Sequence, residues 1–291
     1  MYLQICLYGT IFSLLKGKGE NMKKIILTLF VAIFAAVPSF AATYSAESRV
    51  PEIGKLLLTK NGIAITNVQF KVVSDDVGNS DFTTNKTVNV SKAKLSFAGN
   101  DNEVAAVVGN ELGHLIAGHA SKAKVLYSLQ TTDTTTTTES DSTGLLSTAA
   151  INYRSTKEEK EADAIATNLM ANAGYNPLAL IVVLTKQTGT TWDAIAGRPA
   201  NSERAMSVYD YTAYAYPAKV QAGYNCNEYK NFLTYANSVL QLRKENIKLE
   251  KRNTKNVTKM RKSTLNRIQK FKIRGGKSGW DAVYDLMTVT Q

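Results

Sequence analysis

Histidine and cysteine are both scarce, with two of each in 291 residues. Two cysteines give no disulfide framework, and no Cys-His zinc knuckle is present. Cys6 lies in a segment expected to be absent from the mature chain, which leaves Cys226 alone and reads as an inert thiol rather than a nucleophile. Any site built on imidazole must draw on His114 and His119. Long apolar runs are missing as well. The charge-free stretch Ile25–Val37 has thirteen residues, short of the ~20 that a transmembrane helix needs. Acid is lacking in one region: residues 243–277 hold fourteen Lys/Arg against two acids, Glu245 and Glu250. The net charge of +11 therefore belongs to that segment, and residues 42–242 are close to neutral.

Met22-Lys23-Lys24, the run Ile25–Val37 and the small residues up to Ala42 have the three parts of a secretory signal peptide. The expected protein is thus exported, periplasmic or extracellular, with residues 22–41 removed or kept as an N-terminal anchor. Residues 1–21 fit no structure and are expected to be an over-extended start, with Met22 as the true first residue. Residues 42–225 are read as the folded domain and 226–291 as a basic helical C-terminal region.

Residues 44–60 have helical spacing of apolar positions, and Ile63–Val73 alternates like a strand. Asp75–Asp81 reads as a turn and Thr87–Val90 as a short strand. Asn100 is a good N-cap with Glu103 as its capping-box partner, and the pattern predicts one helix from there to about Tyr127. Gly109, Gly113 and Gly118 each cost ~1 kcal/mol against Ala inside it, which points to close packing, close approach of a ligand, or mere tolerance. Gln130–Thr143 is a Thr/Ser/Asp tract too polar to order itself and reads as a mobile loop. A helix follows from Ser155 or Thr156 to Gly174, with acids in its first turns. Further helices are expected over Leu178–Thr188, from Ser202 to about Tyr214, and from Glu228 through the basic segment to Gly275-Gly276.

The chemistry concentrates in Asn110-Glu111-Leu112-Gly113-His114. With His in place of Asn110 it would read H-E-x-x-H, the helical zinc-protease signature. Positions i and i+4 share a helix face, so two imidazoles there can meet one metal while the intervening Glu serves as general base toward a metal-bound water. Glu111 holds the base position and His114 the second-ligand position. Asn110 offers an amide oxygen, a harder and weaker zinc ligand than imidazole. Glu159-Lys160-Glu161-Ala162-Asp163 supplies a candidate third ligand in Glu159 and an orienting carboxylate in Asp163, although in isolation a solvated acidic helix start explains Glu158–Asp163 better. His119, at i+5 from His114, would lie about 140° around a continuous helix and is read as structural or surface.

Taken in order, Asn79–Phe82, Thr87–Val90, Asn102–Gly109, Glu111–His114, Tyr153–Ser155, Glu159–Asp163 and Ala173–Pro177 resemble the zinc metallopeptidase family of HtpX, Oma and the CaaX prenyl protease, in its soluble exported bacterial branch. The resemblance covers roughly Pro51–Tyr214. It implies an α+β, mainly helical fold: a zincin-like metalloprotease domain with a small β-sheet, followed here by the basic helical tail. It implies one zinc ion on His114, Glu159 and the degenerate position Asn110, held weakly if at all, with Glu111 catalytic and Asp163 behind the ligands. It places Val88, Asn89 and Val90 on a strand that aligns the substrate peptide. Family members carry a His-Pro then Arg segment near the metal; Arg198-Pro199 and Arg204 stand there in this chain as candidate transition-state contacts.

The implied activity is hydrolysis of peptide bonds by a metal-activated water, acting on peptide or unfolded protein. The departures at Asn110 and Arg198 raise a competing reading, an inactive pseudoprotease that binds peptide or acts like a chaperone. A third reading makes the protein an envelope adhesin. For residues 243–277 the expected partner is an anionic membrane or cell-wall surface; nucleic acid is not expected.

Overall fold

A computed structural model describes residues 44–63, 68–74, 87–132, 156–187 and 201–289. Helix α1 (Ala46–Lys60) buries Val50, Ile53, Gly54, Leu57 and Leu58, the i, i+3, i+4, i+7 stripe of an amphipathic helix. Strands β1 (Gln69–Val73) and β2 (Thr87–Ser91) pair in parallel, Gln69 opposite Thr87 and Val73 opposite Ser91. The strand expected over Ile63–Val73 is thus confined to its second half among the described residues. Phe70 of β1 lies over Gly54 of α1, where a Cβ would come within 2.3 Å of the ring. The turn expected at Asp75–Asp81 lies outside the described residues. A short helix α2 (Lys92–Ser96) follows, its start capped by the Ser91 hydroxyl accepting from Lys94 N.

Helix α3 (Asp101–Ala117) is the centre of the fold, with every residue from Glu103 to Ala117 buried. Its start is as expected: Asn100 Oδ1 accepts from Glu103 N at 3.1 Å, while Glu103 Oε2 accepts from Gly99 N at 2.8 Å. The pair fixes the helix entry by satisfying two orphan amides. Lys186 closes the cap by donating to Glu103 Oε2 at 2.7 Å.

The single helix expected from Asn100 to Tyr127 is broken. Gly118 adopts the left-handed conformation, φ 73°, and its N–H caps α3 on the carbonyls of His114 and Leu115. A second helix, α4 (His119–Thr132), starts at the next residue. The polar tract after Thr132 lies outside the described residues.

Helix α5 (Thr156–Asn172) packs against α3 along small residues. Gly109 faces Ala166, and Gly113 faces Ala162 so closely that a Cβ there would lie 2.3 Å from the Ala162 carbonyl oxygen. The order of these contacts makes the two helices antiparallel. Of the three glycines, two therefore serve close helix packing and the third ends the helix.

The apolar helix α6 (Ala179–Lys186) and helix α7 (Asn201–Ala215) complete the layer around α3 and α5. Helix α8 (Pro217–Ala222) leads to α9 (Asn227–Glu245), α10 (Ile247–Ile273) and α11 (Gly279–Val289). The Cys226 Sγ caps α9 by accepting from Tyr229 N, and burial pushes this thiol above its ordinary value. The result is the expected mainly helical α+β architecture with a small sheet.

The basic segment is not a solvated appendage. Along α10, Val257, Thr264, Ile268 and Phe271 are buried, and Ile268 and Phe271 join the same apolar core as α3. Arg243 makes a two-pronged ion pair with Asp210 at 2.6 and 2.9 Å. Arg267 donates to the Ala117 carbonyl at 3.2 Å and pairs with Glu161. Helix α10 spends its apolar face and Arg267 on the domain itself, as α9 spends Arg243, which gives no support to a free adhesion tail for membrane or cell wall.

The exported localisation expected from residues 22–41 is likewise withdrawn. No helix among the described residues is long and apolar enough to cross a membrane, so a retained anchor has no counterpart there. Residues 22–41 themselves lie outside the described residues.

Candidate active site

The antiparallel packing of α3 on α5 sets two i, i+4 pairs face to face. Asn110 Nδ2 donates to Asp163 Oδ1 at 2.8 Å, and His114 Nε2 stands 3.3 Å from Glu159 Oε1. All four side chains are buried. The glycine-alanine seam makes this possible, because bulkier residues at Gly109 and Gly113 would hold the helices too far apart for such short side chains to meet. The carboxylate of Asp163 can only accept a hydrogen bond when ionised, so the amide of Asn110 must present its NH2 end to it.

Arg204, on α7, closes the group from a third helix. Its Nε donates to Asp163 Oδ2 at 2.9 Å and its Nη2 to Asp163 Oδ1 at 2.7 Å. The same Nη2 lies 2.9 Å from Glu159 Oε2. Burial raises the Asp163 carboxyl above its ordinary value, with Arg204 and Asn110 pulling the other way. Burial alone would lower the Arg204 guanidinium; the charges of Asp163 and Glu159 overcome it and hold the group above its usual value. One guanidinium thus compensates both buried carboxylates, as a buried ion cluster requires.

Glu111 has a partner of its own, Lys94 of α2, which donates to its Oε1 at 2.6 Å, and its charge adds to those that act on Arg204. Nothing in the sequence spacing announces this partner, which arrives from a separate helix.

His119 is the largest departure from expectation. The break at Gly118 carries its ring back to the site, and its Nδ1 lies 2.8 Å from His114 Nδ1. The two rings meet edge to face, 4.9 Å between centroids and 70° between planes. The Nε2 of His119 lies 3.2 Å from Glu161 Oε2. Burial works to raise the Glu161 carboxyl, but His119 and Arg267 together hold it below its ordinary value.

Of the remaining candidates, Val88 and Val90 are buried and Asn89 is half-buried on β2, which packs beside α3. Arg198 lies outside the described residues.

The donor set fits a zinc ion only in part. Ligand bonds of about 2.0–2.2 Å at tetrahedral angles put two donor atoms about 3.3–3.5 Å apart, and the 3.3 Å between His114 Nε2 and Glu159 Oε1 matches that edge. The match stops there. The third position holds an amide engaged with Asp163, and among the described residues no group of three His, Cys, Asp or Glu stands where it could hold a metal ion. The residues present do not complete the three-ligand zinc site expected from the motif.

Comparison with known proteins bears on this site. The family described as peptidase family M48 matches residues 45–212, a span that contains α3, α5 and α7 up to Thr212. Metalloprotease YcaL of Escherichia coli (strain K12) is 27% identical over 179 residues, covering 57% of this chain and 69% of that protein. No solved structure matches this chain significantly.

Proposed function

The chain belongs to peptidase family M48, a family of metallopeptidases, and from that premise we propose that it engages peptide or unfolded protein at the family's site while zinc-dependent hydrolysis there is lost. The observation that carries this reading is the Asn110–Asp163 hydrogen bond. In a zinc peptidase of this pattern an imidazole at position 110 would turn one nitrogen to the metal and the other to the orienting carboxylate. Asparagine keeps the contact with the carboxylate and gives up the nitrogen. A catalytic zinc takes three protein ligands, and altering residues that merely support such ligands costs about 10–100-fold in affinity. Loss of a ligand itself exceeds that.

Arg204 supplies the positive charge that Asp163 and Glu159 require. A site that is electrostatically satisfied in this way supports binding better than it supports chemistry. Val88, Asn89 and Val90 are the proposed place for an extended peptide to align. The buried side chains of Val88 and Val90 leave that contact to backbone groups.

One observation favours the other reading, a zinc-dependent metalloendopeptidase with two protein ligands: the His114–Glu159 separation has the length of a zinc-site edge. Measuring zinc per chain and cleavage of an unfolded protein separates the two. The proposal expects neither in the wild type and both in Asn110→His. Stoichiometric zinc in the wild type, with cleavage abolished by Glu111→Ala, would establish the peptidase instead.

A further inference from the structure

The C-terminal helices carry more positive charge than the ion pairs with the domain consume. Helices α10 and α11 enclose a crevice of about 380 Å3, backed by Ile116 near the end of α3 and by Phe271 and Trp280. Arg267, Lys270 and Arg274 stand on its α10 side, and among the described residues no acid lines it. We propose that this crevice is a binding site for a small soluble phosphate compound, held by Lys270 and Arg274.

The charges around the crevice can be accounted for one by one. Arg267 is taken up by Glu161 and by the Ala117 carbonyl. Lys270 and Arg274 have no carboxylate partner among the described residues. Helix α11 has two acids, and both are spent elsewhere. Asp281 accepts from Ser278 N at 2.6 Å and from the Ser121 hydroxyl, and Asp285 pairs with Lys277 at 2.7 Å. The three cations are spaced three and four residues apart, so they share one side of α10 and its C-cap, where like charges repel. Arg274 also lies against α11, where a Cβ on Gly279 would come within 3.2 Å of its Nη1.

A crevice lined by one sign of charge and backed by apolar side chains concentrates counter-ions. Two cations without acid partners match a doubly charged anion better than a single carboxylate. A guanidinium offers a planar fork that fits phosphate oxygens, and a lysine amine adds a point charge. At about 380 Å3 the crevice lies at the small end of the range for small-molecule sites, which suits a phosphate or pyrophosphate group rather than a folded partner. The crevice is separate from the facing pairs of α3 and α5, and its occupancy requires neither zinc nor peptide.

Trp280 supplies the readout, and the chain has one other tryptophan, Trp192. In the full-length wild type labelled with 15N-tryptophan, the indole signal of Trp280, assigned from Trp192→Phe, is followed while inorganic phosphate or pyrophosphate is added at constant ionic strength. A saturable shift is expected with both, and none with acetate. Lys270→Gln and Arg274→Gln should each weaken pyrophosphate binding about tenfold, the loss of one charge-assisted contact. Lys272→Gln removes the same charge from α10 at a position whose amine lies beside Gly62, and should leave binding nearly unchanged. No saturable shift, an equal shift with acetate, or equal weakening by Lys272→Gln would overturn the proposal. So would a shift produced by phosphatidylglycerol vesicles but by neither soluble phosphate. The comparison of anions on the wild type decides alone if a variant fails to fold.

Discussion

At the scale of single residues the site is a charge-compensated knot in which Arg204 bears the greatest burden. Its guanidinium faces two buried carboxylates, Asp163 and Glu159. Removing one partner from a buried ion cluster costs about 3–5 kcal/mol, because the charge left behind is uncompensated. Arg204→Gln is expected to lose about that much stability in urea titrations near neutral pH. The pH dependence has a definite sign. Burial raises Asp163 in the folded state, and without Arg204 it rises further. A carboxyl whose folded value lies above its unfolded value destabilises when ionised and is relieved on protonation. The deficit of the variant should therefore be largest at pH 8 and shrink as pH falls toward 5. A deficit independent of pH would contradict this placement of the charges.

Much of this knot was legible in the sequence, and the reason is periodicity. Asn110 with His114, and Glu159 with Asp163, are each one helical turn apart, so each pair had to share a face. Lys94 and His119 were not legible. Lys94 reaches Glu111 from another helix, a contact that no local spacing encodes. His119 is at i+5 from His114 and would face away on an unbroken helix; Gly118 ends the helix and brings it back.

At the scale of elements, the seam between α3 and α5 brings the site together. Gly109 and Gly113 on one helix meet Ala166 and Ala162 on the other, and the residues one step beyond the two glycines, Asn110 and His114, face Asp163 and Glu159. A methyl group at Gly113 would collide with backbone, the Ala162 carbonyl oxygen at 2.3 Å, which cannot rotate aside. Overpacking of this kind costs about 1–3 kcal/mol. Gly113→Ala should lower Tm by roughly 2–12 °C, taking about 2–4 °C per kcal/mol for a domain of this size. An unchanged Tm would mean that the helices part freely and that the seam does not hold the site. The glycines had left three explanations open in the sequence; only the coordinates of the opposing helix distinguish a packing seam from a helix end.

At the scale of the whole molecule, residues 44–291 cluster as one unit, and its most basic helix is part of the core. The apolar positions Val257, Ile268 and Phe271 on α10 were hidden in the sequence by the density of lysine and arginine around them. Phe271 is 1% exposed, and truncating a buried Phe costs about 3–5 kcal/mol. Phe271→Ala should therefore destabilise the entire unit in a single cooperative transition, whereas a loosely attached tail would leave the main transition in place. Arg267 of α10 holds Glu161 and the end of α3, Arg204 holds α5, and the buried carboxylates of the site are matched by cations of the chain itself; the proposed loss of zinc turns on Asn110. The most direct measurement is zinc per chain after dialysis against a weak chelator, for the wild type and Asn110→His. The wild type is expected to hold little or no zinc and Asn110→His about one ion per chain, because the substitution restores the three-ligand set. About one zinc ion retained by the wild type would contradict it.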